Sequence, residues 1–293
     1  MEQRRTIVQE VALTAGSQRH ACRWLGFHRS AVRYRSRRRD ETALRQRLRE
    51  LATTYTRWGA PLLIWQLRDQ EGWPDNHKRI RRLYRAEGLA VRRRGRKKLV
   101  RARVPLAPAT IPNERWAMDF VRDTLATGAA FRALTVVDTC TREALAIEVD
   151  VSLPGERVVA VLEAIAGKRG YPAAIMVDNG TEFQSRAVNA WAHQHQVQLH
   201  FIRPGKPVEN AFIESFNGKF RDECLSQHWF LSLAEARRII EGWRVQFNTA
   251  RGHRALNRLT PSQFAALFCN PETEVKNNHQ QHHPTRLSTQ NRT

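Results

Sequence analysis

Three acidic residues carry most of the chemical information in this chain. Asp119 lies in WAMDF, Asp178 opens DNGTEF, and Glu214 sits in VENAFIESFNGKFRDE. Carboxylates brought together repel one another unless a cation bridges them, and hard oxygen ligands suit Mg²⁺ or Mn²⁺ rather than zinc. Two such ions roughly 3.5–4 Å apart could share the three acids, activate a water or a 3′-hydroxyl, and stabilise the leaving oxygen of an in-line displacement at phosphorus. That is the chemistry of polynucleotidyl transfer.

The elements around these acids must bring them together. The pattern after residue 113 predicts an α/β unit with a mixed five-stranded sheet and flanking helices. Strands are expected over 115–121, 130–137 and 144–149 as an antiparallel meander, with a helix over 155–168 and a buried strand over 173–177. A helix over 182–195, a strand over 197–202, and helices over 208–223 and 232–247 follow. If the first strand lies beside the fourth, Asp119 and Asp178 converge, and Gly180 allows the tight turn off the strand end where functional groups collect. On the 208–223 helix, Phe212, Phe216 and Phe220 are expected to pack inward, while Asn210, Glu214, Asn217 and Arg221 line another stripe. Glu209 lies about 140° from Glu214 around that helix and reads as a first-turn acid. Asp123, Asp138 and Asp150 fall at strand ends, where turn formation accounts for them. His193, His195 and His200 have no cysteines at ligand spacing.

The charge distribution names the partner class. The 293 residues carry 49 Lys and Arg against 28 Asp and Glu, for a net charge of +21. Residues 1–110 hold 28 basic and 9 acidic side chains, and the remainder hold 21 and 19. A basic front half neutralises phosphates and releases counterions, and the nearly balanced rear half reads as a globule delivered to the polymer. Within the front half, residues 17–35 read as two short helices broken at Gly26, in helix-turn-helix order, with Arg29 and Arg33 on the second. Leu44, Leu48 and Leu51 mark a connecting helix over 40–54. A second two-helix unit has one helix over 61–69 and another that Asn76 caps, which carries Arg79 and Arg82. The run RRRGRKK over 92–98 and the proline-punctuated segment 101–112 read as a backbone-tracking tether and a linker.

Taken together, WAMDF, VDNGTEF and ENAFIESFNGKFRDECL resemble the DDE signature of transposases from bacterial insertion sequences of the IS-three family, relatives of retroviral integrases. The resemblance extends to GWPDNHKRIRRLYRAEGL and FNTARGHRALNRLTP and covers most of residues 15–265. It implies a ribonuclease-H-like core in which Asp119, Asp178 and Glu214 bind two Mg²⁺ or Mn²⁺ ions, with Arg221 contacting DNA near the cut. Lys219, Asn217, Arg79, Arg82, Arg29 and Arg33 complete the expected DNA-binding set. Family members cut one strand at an element end and join the freed 3′-hydroxyl to DNA by direct transesterification. The implied partners are the element's terminal inverted repeats, target DNA, further copies of the chain, and an upstream-frame product or fusion; the implied location is the bacterial cytoplasm, at the nucleoid. Two positions depart from the family pattern. WGAPLLIW over 58–65 stands where a more polar stretch is usual, and Gly252 replaces a frequent proline before His253.

The expected domains are therefore 1–56, 57–100, the linker 101–112, a catalytic core over 113–226, a helical extension over 227–268 and a polar tail over 269–293, which should be disordered. Four scattered cysteines without a C-x-x-C pair suggest neither a disulfide framework nor a zinc ribbon. No apolar run approaches the roughly 20 residues that span a bilayer, so no membrane partner is expected. The competing readings are a DNA-binding repressor whose rear half only dimerises, and a nuclease of the same fold that hydrolyses without strand transfer.

Overall fold

The computed structural model describes residues 2–33, 40–91, 109–202 and 211–268. The basic run 92–98, residues 101–108 of the linker, Glu209, Asn210 and the polar tail lie outside the described residues, as does the expected start of the late helix at 208. The chain divides into two compact units, Met1–Arg47 and Leu48–Thr293.

In the first unit, helices α1 (Glu2–Ala15), α2 (Gln18–Trp24) and α3 (Arg29–Arg33) enclose a small core of Val8, Ala15, Ala21, Cys22 and Val32. Ser17 caps α2 by accepting from the His20 N–H, and Gly26 takes a positive φ of 66° in the break before α3. The two short helices thus follow the expected pattern, with Arg29 and Arg33 exposed. Helix α1 is not predicted above. Val8, Val11 and Ala15 share its packed face, but Ile7 and Leu13 stand off that face in solvent and blur the stripe.

Helix α4 (Thr42–Thr54) spans the boundary between the units and buries Leu44, Leu48 and Leu51, as their spacing requires. The second helical pair follows. Helix α5 (Ala60–Trp65) continues into a π-turn over Gln66–Gln70, and α6 (His77–Ala86) is capped by Asn76, whose side chain accepts from the Lys78 N–H. Leu63, Leu67, Ile80 and Leu83 are fully buried. This pair is continuous with the catalytic unit rather than a separate body. Trp65 packs directly on Gly252, where an added Cβ would lie 2.7 Å from the indole Cε2. Arg57 donates to the Asp222 carbonyl, Thr56 to Gln227, and Gln263 to Gln70.

The sheet comprises β1 (Arg115–Thr124), β2 (Ala130–Asp138), β3 (Ala144–Asp150), β4 (Ala174–Val177) and β5 (Gln198–Phe201), in the order β3-β2-β1-β4-β5. The first three strands form the antiparallel meander, and β1 pairs with β4 in parallel. Side chains alternate across β1. Trp116 and Met118 enter a core with α7 (Gly155–Arg169) and α8 (Arg186–Gln194), while Ala117 and Val121 face α9 (Ala211–Glu223) and α10 (Leu233–Ala250). The helix expected from 182 begins instead at Arg186. Residues 183 and 184 turn back onto the Gly180 carbonyl, and Ser185 caps α8. Helix α10 also shields the sheet edge: Asn248 both donates to and accepts from the backbone of Ala144 on β3, and Arg237 donates to the Val149 carbonyl. The short helix α11 (Pro261–Ala266) closes the described chain, its first turn fixed by a capping box from Thr260 and Gln263. Among the described residues, no helix is long and apolar enough to cross a membrane.

Candidate active site

Register places the first two acids side by side. Ala117 on β1 pairs with Met176 on β4, and Asp119 and Asp178 each lie two residues further along these parallel strands. With a side-chain period of two, Asp119 shares the face of Ala117 and Val121, which is the face that α9 covers. Glu214 stands exposed in the first turn of α9.

Asp119 feels the other two acids. Burial pushes the Asp119 carboxyl above its ordinary value, and the charges of Asp178 and Glu214 add to that rise; N–H donors from Phe120 and Asn217 oppose it. Asp119 Oδ1 accepts from the Phe120 N–H at 2.7 Å, and Oδ2 accepts from Asn217 Nδ2 at 2.8 Å. Asp178 Oδ1 accepts from the Gly180 N–H at 3.0 Å, so the DNG turn orients this carboxylate. The turn is itself anchored: Phe183 is fully buried and stacks on Phe120 with centroids 4.9 Å apart, and Glu182 pairs with Arg132 from β2.

An all-carboxylate donor set with a charge-strained central member has the chemistry that suits a hard divalent cation. Among the described residues, however, no three such side chains are already gathered into a closed metal cage. The structure brings Asp119, Asp178 and Glu214 within electrostatic reach and stops short of that closure.

The remaining candidates separate. Asn217 is a correction to the DNA-facing role expected of it: it is only 7% exposed, joined to Asp119, and its Oδ1 lies 3.0 Å from the Thr135 hydroxyl. Phe212 is likewise displaced from the expected core stripe, which is made by Ile213, Phe216, Asn217, Phe220 and Cys224. A spacing of four residues advances about 40° per step, so Phe212 lies about 80° from Phe220 around the helix. Arg221 is exposed, with Nη1 3.5 Å from the Arg122 carbonyl. Lys219 is half-buried and donates to the Ser215 carbonyl at 3.2 Å and hydroxyl at 3.0 Å. Arg79 is paired with Asp75 at 2.8 Å, while Arg82 is exposed on α6. Asp138 is fully buried and organises the β2–β3 turn, accepting from the N–H groups of Cys140, Thr141 and Asn113.

Comparison with known proteins covers most of the chain. The pattern described as integrase core domain matches residues 109–207 and again 195–261, and that described as HTH-like domain matches residues 38–97. The chain is 49% identical over 252 residues to the 31.7 kDa protein of insertion element IS407 from Burkholderia multivorans, covering 85% of this chain and 91% of that protein. It is 47% identical over 265 residues to the 39.2 kDa protein of insertion element IS476 from Xanthomonas euvesicatoria, covering 89% and 75% respectively. Identity to transposase InsF for insertion sequence IS3A from Escherichia coli is 25% over 266 residues, 83% of this chain and 92% of that one. In fold, the chain is similar to one in the simian T-cell lymphotropic virus intasome in complex with the PP2A regulatory subunit B56 gamma, at a TM-score of 0.50 and 15% identity over 74% of each chain. With an HTH-like region, an integrase core and insertion-element relatives at nearly half identity, the chain belongs to the integrase-core transposases of bacterial insertion sequences of the IS-three family.

Proposed function

We propose that this transposase cuts DNA at the ends of its element and joins the freed 3′-hydroxyl to DNA at one site, formed by Asp119, Asp178 and Glu214. The observation that carries this reading is that the charges of Asp178, after β4, and Glu214, on α9, both act on the half-buried Asp119 of β1. They would hold Mg²⁺ or Mn²⁺, one ion or two, and metal bound there would activate the attacking oxygen and stabilise the departing one. Asn217 keeps one Asp119 oxygen in a fixed direction, and the Gly180 N–H does the same for Asp178. Arg221 lies on α9 about 20° from Glu214 around the helix, where it can meet the strand being cut. Arg29 and Arg33 are exposed on α3 for DNA contacts that position the element ends, and α6 carries Arg79 and the exposed Arg82 for the same purpose. Terminal inverted repeats, target DNA and a second copy of the chain are the proposed partners.

Asp178→Asn tests the site with an oligonucleotide carrying an element end and Mg²⁺. Cleavage and joining are expected to disappear while end binding persists. Turnover comparable to wild type would remove Asp178 from the site. A gel that resolves joined from merely cut products distinguishes transposition chemistry from plain hydrolysis.

A further inference from the structure

Across α9 from Glu214 lies a second set of charged side chains. Lys219, five residues on, projects about 140° away from Glu214, on the same flank as Ser215 and Glu223. The chain after α10 brings Arg251 and His253 to this set, and the β2–β3 turn brings Arg142. The charges of Arg142 and Arg251 both act on Lys219, and the charges of Arg142, Lys219 and Arg251 all act on His253. Arg251 has its own acid: Nε and Nη2 grip the Glu223 carboxylate at 2.8 and 2.6 Å. Arg142 lies over the Phe212 ring at 3.8 Å, and its buried Nε and Nη1 have no hydrogen-bond partner. His253 is only 8% exposed and its buried Nε2 has none either.

Such an arrangement is costly unless something compensates it, because buried polar groups are almost always paired. Burial and the surrounding cations push the Lys219 ammonium down to about 8 and the His253 imidazole down to about 3. Arg142 also adopts a positive φ of 63°, a conformation arginine rarely takes. The turn enforces it: the Asp138 carbonyl accepts from the Arg142 N–H, and the buried Asp138 carboxylate accepts from Cys140 and Thr141. The fold thus spends conformational strain to hold an arginine with unmade donors among other cations.

We infer that Arg142, Lys219, Arg251 and His253 form a binding site for a backbone phosphate of DNA, distinct from the carboxylate site on the opposite flank of α9. A tetrahedral oxyanion accepts from several donors at once, and a planar guanidinium matches it in geometry as well as charge. DNA is the source assigned, on the reading of this chain as a transposase with a net charge of +21. Gly252, between two of the four residues, is also the seat of Trp65, so the site adjoins the helical pair.

The test is DNA binding by the full chain across a salt series, with element-end and random-sequence duplexes, for wild type, Arg142→Gln and Lys219→Gln. Each variant is expected to weaken binding to both duplexes by the same factor and to flatten the slope of log affinity against log salt by about 0.9, the share of one phosphate. Wild-type affinity and slope in both variants, at an unchanged melting temperature, would overturn the site. If Arg142→Gln does not fold, Lys219→Gln decides on the same readout. Inorganic phosphate separates the sources: if it raises the melting temperature of wild type alone while DNA binding by the variants is unaltered, the site takes free phosphate and the DNA assignment fails. A wild-type chain that binds neither duplex would overturn the proposed function as well.

Discussion

Asn217→Ala isolates a side chain that fixes the central acid. Asp119 is acceptor-only when ionised, so the amide must present Nδ2 to it at 2.8 Å and turn Oδ1 toward the Thr135 hydroxyl at 3.0 Å. Truncation removes a charge-assisted bond and leaves Asp119 Oδ2 without that donor. Thr135 keeps an alternative acceptor in the Asp119 carbonyl at 3.0 Å, so its loss is small. A hydrogen bond to a charged group contributes about 1.5–3 kcal/mol. Taking about 2 kcal/mol and a shift of about 2–4 °C per kcal/mol for a unit of this size, the melting temperature should fall by about 4–8 °C at neutral pH. Asn217 opposes the rise of the Asp119 carboxyl, so its removal lifts that group further. The deficit should therefore shrink as pH falls and Asp119 takes its proton. Cleavage should drop on the order of 10²-fold, as for a misplacement of about 1 Å, with DNA affinity unchanged. Calorimetry across pH and single-turnover cleavage with Mg²⁺ measure both effects. Wild-type melting and cleavage would refute the reasoning, and lost DNA affinity with full cleavage at saturation would return Asn217 to the DNA surface.

Two further substitutions follow from the same structure. Asp119 has a raised carboxyl, so the stability tied to it is fully present below its unfolded value near 4 and is lost as pH rises through the higher folded value. Asp119→Asn should thus melt above wild type at pH 7 without divalent ions, with the gap closing in acid. Added Mg²⁺ should raise wild type and not the variant, and the reverse order at pH 7 would mean that Asp119 is not charge-strained. Gly252→Ala places a Cβ 2.7 Å from Trp65 and 2.8 Å from the Arg258 carbonyl, an overpacking of about 1–3 kcal/mol visible as a lower melting temperature. Adding Trp65→Leu should recover part of that loss, and strictly additive losses would show that the two positions do not touch.

Much of the catalytic unit was legible because its signals are local. Short apolar runs separated by turn-rich pieces mark the strands, and the order of strands and helices implies the β1–β4 neighbourhood that aligns Asp119 with Asp178. What stayed hidden depends on contacts between distant segments. Asn217 sits at the margin between the exposed and buried faces of α9, where only the position of Thr135 and Asp119 decides its role. Arg142 reads as an ordinary turn residue until the backbone shows its positive φ and α9 supplies Phe212 beneath it. Nothing in WGAPLLIW announces that its last tryptophan packs on a glycine far along the chain.

The meeting of Trp65 with Gly252 joins two segments far apart in the chain. A large ring on one side has been accommodated by the smallest residue on the other. The helical pair is consequently not a portable cassette: grafted onto a chain with any larger residue in the facing loop, it would arrive with an indole and no recess to receive it. Exchange of recognition modules between such elements would have to carry both halves of this fit, or acquire them in an order that never leaves the ring unhoused.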